Sequence, residues 1–212
     1  MYRFGWPAHV ATRNAKDGGG STMKTSEIVD LLQPWIGRIG DEELRGKVVE
    51  TFERALARGG FKSRAAFLKM PFTLLADCKG VTFLEHTLAV TAGAVGLYQG
   101  QAAHYRSMPY PVDMDRLVAG ALLHDVGKIL EIEPDGKGGY RKSRSGMCLR
   151  HPLSGLALAA EAGLPEEVLN CIGCHAKEGE GAPKTVETIL IHQADFATFD
   201  PLVMLQKGTL VL

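Results

Sequence analysis

Six side chains in this sequence have the chemistry of metal ligands: His86, His124, Asp125, His151, His175 and Asp195, in the order H…HD…H…H…D. Imidazoles and carboxylates buried together are costly unless they converge on something cationic. The set therefore calls for divalent metal. Mixed nitrogen and oxygen donors suit iron, manganese, cobalt or zinc better than magnesium alone. A competing reading starts from Cys171-Ile172-Gly173-Cys174-His175, which has the C-x-x-C-H spacing of a c-type haem attachment site. No haem is expected here, because a His175 spent on a metal ion cannot also be an axial haem ligand. No distal Met or His pattern accompanies it, and the opening residues do not read as a secretory signal. Cys171 and Cys174 are read as small core residues, a thiolate ligand at Cys174 being the alternative.

The elements that must position these residues are helices. Ile28, Leu31, Leu32 and Trp35 recur at helical spacing, with Pro34 dividing the segment. A second helix opens on Asp41-Glu42-Glu43 and closes at Gly59-Gly60, and Ser63 caps a short third one that runs to Met70. Longer helices are expected over about 83–98 and 113–130, the second being apolar on every side from Leu117 to Leu123 and so buried. Residues 133–150, rich in glycine and charge, read as a loop. Three helices follow, over about 152–162, 165–176 and 186–199, the last stopped by Pro201. No convincing period-two run is present, and the fold class is all-α. His86, His124–Asp125, His151, His175 and Asp195 then sit on five different helices.

A chain of 212 residues suits one domain, and 24 basic against 24 acidic residues leave no global field to attract nucleic acid or membrane. Nucleic acid is therefore not expected as a partner. No apolar run approaches the roughly 18 to 20 residues that span a bilayer. The start, MYRFGWPAHVATRNAKDGGGST, lacks an apolar h-region, so a cytoplasmic protein is expected. Residues 1–22 read as a flexible lead, and 23–212 as one helical domain.

The motif order, with the HD pair inside GALLHDVGKI, resembles the HD-domain superfamily of metal-dependent phosphohydrolases. The likeness runs over about 83–199. EHTLAV is similar to the family's first ligand helix, HDVGK to its HDxGK turn, and ILIHQADF to its final helix. The resemblance implies a helical bundle with a metal site in its core and two divalent ions. One ion would take His86, His124, Asp125 and Asp195, and the other Asp125, His151 and His175. Neighbouring helical residues point about 100 degrees apart, so His124 and Asp125 can serve different ions with Asp125 as the bridge.

Two cations about 3.5 to 4 Å apart polarise a phosphoryl group and activate water. The implied reaction is hydrolysis of a phosphomonoester or phosphodiester in a small phosphorylated substrate, a nucleotide by preference, with Asp125 and Lys128 as the catalytic residues. Lys128 can set a positive charge at the phosphate, or it can be a solvated cation on the helix dipole. Lys137, Arg141, Lys142, Arg144 and Arg150 make a basic loop; its arginines can hold phosphate by bidentate contacts, a solvated basic loop being the alternative. A di-iron oxygenase of the same fold is the first rival. The residues that its phosphonate-cleaving members place before the first histidine correspond here to Ala76 and Lys79. A non-catalytic binding module is the second rival, disfavoured by a complete ligand set. Of the other histidines, His104 and His9 in the lead are read as surface residues, as is His192, for which a supporting role behind Asp195 on the same helical face is the alternative, and Glu85 as a solvated helix position.

Overall fold

A helix that is apolar all round has to be surrounded, and residues 117–123 are all buried. The structure, a computed structural model, describes residues 23–61 and 63–212. The expectations for residues 1–22, His9 among them, lie outside the described residues. Helix α1 (Thr25–Leu31) leads through a 3-10 turn at Ile36–Arg38 into α2 (Glu42–Arg58). Asp41 caps α2 by accepting from the amides of Glu43 and Leu44, and the face carrying Leu44, Val48, Phe52 and Ala55 is buried. One-turn α3 (Arg64–Phe67) precedes α4 (Phe83–His104), which is followed by α5 (Met114–Leu123). After α5 come the short α6 (Lys128–Glu131) and α7 (Arg144–Cys148), then α8 (His151–Glu161), α9 (Glu166–Cys174) and α10 (Val186–Lys207). Helix α5 sits at the centre, packed against α2, α4, α9 and α10, while α4 and α10 lie along each other and α8 closes on α9. The all-α reading holds.

Besides α3, which ends at Phe67 and not at Met70, four local readings differ from the structure, each for a reason that sequence periodicity does not carry. The helix expected over 113–130 stops at Leu123. His124 and Asp125 fall in the turn that follows, where Val126 N bonds Leu123 O and Lys128 N bonds Asp125 O at i→i−3 spacing. The turn is pressed against the start of α8: a Cβ on Gly127 would lie 2.1 Å from His151 O and 2.6 Å from Gly155 N. Glycine is there for that close approach. Residues 133–150 are not simply a loop but hold an antiparallel hairpin, β1 (Ile132–Pro134) with β2 (Tyr140–Lys142), and then α7. The Asp135 carboxylate organises its turn by accepting from Lys137 N and Gly139 N, and Tyr140 Oη ties it to Ala66 O.

Pro201 lies inside α10 rather than ending it. The ring faces solvent and Leu202 packs on the core, so packing outweighs one lost amide bond, and Gly208 ends the helix at φ +67°. Helix α4 continues past Tyr98 to His104 alongside α10. Gly127→Ala should therefore destabilise the protein by about 3 kcal/mol, as overpacking against backbone does. Urea unfolding measures this, and an unchanged midpoint would show that the turn and α8 are not in close contact.

Candidate metal centre

The capping box at the start of α4, where the Thr82 hydroxyl accepts from Glu85 N and the Glu85 carboxylate accepts from Thr82 N, fixes the turn from which His86 points inward. Glu85 is thus exposed but engaged. Phe72 stacks on the His86 ring at 4.3 Å between centroids. His124 follows the last residue of α5, His151 is the first residue of α8, His175 follows the last residue of α9, and Asp195 lies on α10. All four histidines and Asp125 are buried.

The structure brings the six residues together around the Asp125 carboxylate. Its Oδ2 is 3.2 Å from His86 Nε2 and 3.4 Å from His124 Nε2, while its Oδ1 is 3.2 Å from His151 Nε2 and 3.6 Å from His175 Nε2. Asp195 Oδ1 lies 3.2 Å from His86 Nε2. Donor atoms of His86, His124, Asp125 and Asp195 fall within 4.8 Å of one another, as do those of Asp125, His151 and His175.

Each imidazole is oriented by what holds its outer nitrogen. His124 Nδ1 donates to Ala121 O (2.7 Å) and His175 Nδ1 to Ile172 O (2.9 Å). Thr198 Oγ1 donates to Asp195 O and so accepts from His86 Nδ1. His151 Nδ1 donates to Glu131 Oε2 at 3.2 Å. With the proton on Nδ1 in every case, four Nε2 lone pairs face the same buried point.

That point has no ordinary protein solution. Both Asp125 oxygens and His175 Nε2 are buried without a hydrogen-bond partner. Lys128 Nζ stands 2.5 Å from Asp125 Oδ2, but it lies out of hydrogen-bonding alignment and supplies charge alone. Burial by itself would raise the Asp125 pKa; the neighbouring Lys128, His124 and His151 charges hold it well below the usual carboxylate range instead. Asp195, likewise opposed by burial, is brought down to about 2 by the adjoining His86 imidazole. Burial pushes the His151 pKa down. It acts the same way on His86, where the adjoining Asp125 and Asp195 carboxylates reverse the direction. Two ionised carboxylates and converging imidazole lone pairs fit divalent cations, and the residues present match such ions.

Beside the centre, and reaching it at His151, Asp195 and Lys128, lies a cavity of about 540 Å³ whose lining mixes apolar residues such as Phe72, Ile132, Phe196 and Phe199 with the cations Lys128, Lys142, Arg150 and Lys177 and the acids Glu131 and Glu178. Lys128 is therefore a lining residue and not a solvated cation. Of the three arginines expected at the mouth, only Arg150 lines it, and it is paired with Glu131 and Glu178. Arg141 pairs with Glu133, and Arg144 donates to Cys148 Sγ; neither is part of the lining. Lys142, from the same basic loop, and Lys177 also line the cavity. His104 is exposed, as read. His192 is not a surface residue: half-buried, it donates through Nδ1 to His175 O. Glu131, Thr198 and Phe72 were not singled out from sequence. The one available signal was the carboxylate six residues after Asp125, and it becomes meaningful only once α6 is seen to face α8.

The C-x-x-C-H spacing is resolved by the same geometry. Cys171 Sγ is buried against Thr188 Oγ1, Cys174 lies beside Asn170, and His175 Nε2 faces Asp125. Neither sulfur belongs to the clustered donor atoms.

A family model described as "HD domain" matches residues 83–197. Among curated proteins, Ribonuclease Y of Acidothermus cellulolyticus is 36% identical over 84 residues, covering 40% of this chain and 14% of that protein. Ribonuclease Y of Thermotoga petrophila is 27% identical over 164 residues, covering 73% of this chain and 28% of that protein, and the Thermotoga maritima protein matches equally. The chain thus spans between 14% and 28% of the length of these relatives. No solved structure matches. No helix among the described residues is long and apolar enough to cross a membrane.

Two outcomes follow from this geometry. Manganese added to chelator-stripped protein at about 100 times its dissociation constant should stabilise it by roughly 2.7 kcal/mol. A melting curve reads this, and Asp125→Asn should abolish the shift; equal shifts in both proteins would show that the ion binds elsewhere. Cys171, whose thiol burial pushes up to about 12, should resist alkylation at pH 8, where its thiolate fraction is on the order of one in ten thousand. Exposed Cys148 should react in the folded protein. Peptide mapping after brief labelling separates the two, and native-state labelling of Cys171 would contradict the packing.

Proposed function

The chain belongs to the HD domain family, and from that premise we propose that it is a metal-dependent phosphohydrolase whose substrate is a phosphodiester, with nucleotides and RNA as the substrate class. One observation carries the reading. The carboxylate of Asp125, fully buried, has four imidazole Nε2 atoms around it and no hydrogen-bond donor of its own. In this reading His86, His124, Asp125 and Asp195 hold one divalent ion, and Asp125, His151 and His175 a second. When bound, such ions supply Lewis acidity to a phosphoryl oxygen and make an attacking water more acidic.

The rest of the chemistry falls to the chain itself. Asp125 faces one ligand group with each oxygen and so fixes the spacing between them. Lys128, largely sheltered at 13% side-chain exposure, holds its ammonium at the boundary of the centre and the cavity. There it offers positive charge to a phosphoryl oxygen in surroundings where charge is poorly screened. In this reading Phe196 and Phe199, which line the cavity, give a planar base apolar contact, and Lys142 and Lys177 of the same lining offer positive charge. A nucleotide unit with one phosphate at the centre and a flanking phosphate toward these lysines suits that lining.

This reading departs from the expectation against nucleic acid. That expectation rested on a net charge of zero, whereas phosphate contacts need only local cations. The ribonuclease names of the relatives support a phosphodiester over a monoester. We take residues 23–212 as a single helical unit for this activity.

Wild-type protein loaded with manganese should hydrolyse bis-p-nitrophenyl phosphate, and at least one member of a panel of nucleotides, dinucleotides and short single-stranded RNA. Asp125→Ala should lower turnover by roughly 10³-fold or more, which corresponds to losing several kcal/mol of Lewis-acid stabilisation. Its far-ultraviolet circular dichroism should stay helical. Hydrolysis retained by a folded Asp125→Ala protein would sink the reading.

A further inference from the structure

The two ligand groups differ in charge. The first contains two carboxylates, Asp125 and Asp195, while the second contains the shared Asp125 and two neutral imidazoles. A second ion of the same charge would therefore meet a weaker field, unless something behind the imidazoles supplies the difference. Three of the four histidines rest their outer nitrogen on a neutral oxygen: Ala121 O, Ile172 O or the Thr198 hydroxyl. Only His151 rests on a carboxylate, that of Glu131.

Glu131 is placed to do more than neutralise. Its Oε2 accepts both the His151 backbone N–H (2.9 Å) and the ring Nδ1–H (3.2 Å). It thereby caps α8, whose own N-cap residue Arg150 makes no side-chain cap bond, and sets the ring's rotation with the same atom. Its Oε1 takes Arg150 Nη1 at 3.3 Å and lies 3.7 Å from Lys142 Nζ. Arg150 Nε in turn donates to Glu178 Oε1 at 3.1 Å, three residues beyond His175. One chain of contacts thus joins the segments carrying His151 and His175. Close packing shelters it: a Cβ on Gly146 would lie 2.7 Å from Glu131 Cγ.

We propose that Glu131 is a positioning residue for the second ligand group, orienting His151 and strengthening its Nε2 as a donor through the Glu131–His151 hydrogen bond, so that it governs the affinity of the Asp125–His151–His175 group and not of the other. This rests on the two-group reading above. Losing such an outer partner lowers metal affinity about 10- to 100-fold.

The test is manganese binding to chelator-stripped protein, followed by calorimetry and by the spin-coupled signal of a manganese pair in electron paramagnetic resonance. Wild type should take up two ions and show the coupled signal. Glu131→Ala should bind the first ion unchanged and the second 10- to 100-fold more weakly, losing the coupled signal at stoichiometric metal. Glu131→Gln, of the same shape, keeps one acceptor for the ring or the amide and should weaken the second event less. It also covers the chance that the alanine variant fails to fold. Equal loss of both events in the folded glutamine variant, or no change in either event, overturns the proposal while leaving the metal centre standing. A wild-type protein that takes up only one ion overturns both the proposal and the two-group reading.

Discussion

Burying a carboxylate with nothing to donate to it is among the more expensive arrangements a protein can make, and this fold makes one at its centre. Asp125 is fully buried, and the groups around it are imidazole lone pairs, a second carboxylate and one misaligned ammonium. Removing an ion's water without replacing its partners costs several kcal/mol even after the surroundings relax. The arrangement becomes sensible when the missing partner is a cation. Much of the architecture serves to keep those donors pointing inward. Helix α5 ends one residue before His124, its turn is pinned to α8 through Gly127, and the outer nitrogen of every histidine is engaged.

The positions of the ligands at helix ends serve the same purpose. His124, His151 and His175 each stand at or just beyond a terminus, whereas His86 and Asp195 lie within long helices that run alongside each other. A residue at a terminus can use local backbone to orient itself. His124 and His175 both do so, donating to the carbonyl three residues earlier, which the helix leaves free of its usual partner. His151, at a helix start, has no such carbonyl and takes a side chain from α6 instead. Where backbone orients the ring, sequence spacing suffices; where a distant residue does, only the tertiary fold shows it.

That distinction accounts for what could be read from the sequence. The helices around the core were legible because their apolar spacing is set by the face they bury, as in α2 with Val48, Phe52 and Ala55. The six clustered residues were legible because their chemistry has few uses together. Glu131 and Thr198 were not, since a carboxylate and a hydroxyl on helices are ordinary until their partners arrive from elsewhere in the chain, and the spacing that offered His192 a place behind Asp195 did not show that it would bond His175 O instead. The break after Leu123 escaped for a related reason: helix periodicity continues smoothly through Val126 and Ile129, and the pressure that interrupts it comes from α8. The basic loop was legible as composition but not in its pairing: Arg141 is engaged by Glu133, Arg150 by Glu131 and Glu178, and Lys142 stands within ion-pair range of Glu131 while lining the cavity.

The C-x-x-C-H segment shows how one spacing can serve two chemistries. Positions i, i+3 and i+4 on a helix lie close in angle, which is what haem attachment requires of its two sulfurs and histidine. Here α9 packs on α5 so closely that a Cβ on Gly120 would lie 2.7 Å from Cys171 Cβ, which locks that sulfur into the core and lets the helix end carry His175 to the centre. Compartment and composition bear on the haem question indirectly; packing decides it, since a thioether needs a reachable sulfur and an axial ligand needs a free Nε2. Cys171 fails the first requirement, and His175, aimed at Asp125 together with three other imidazoles, fails the second.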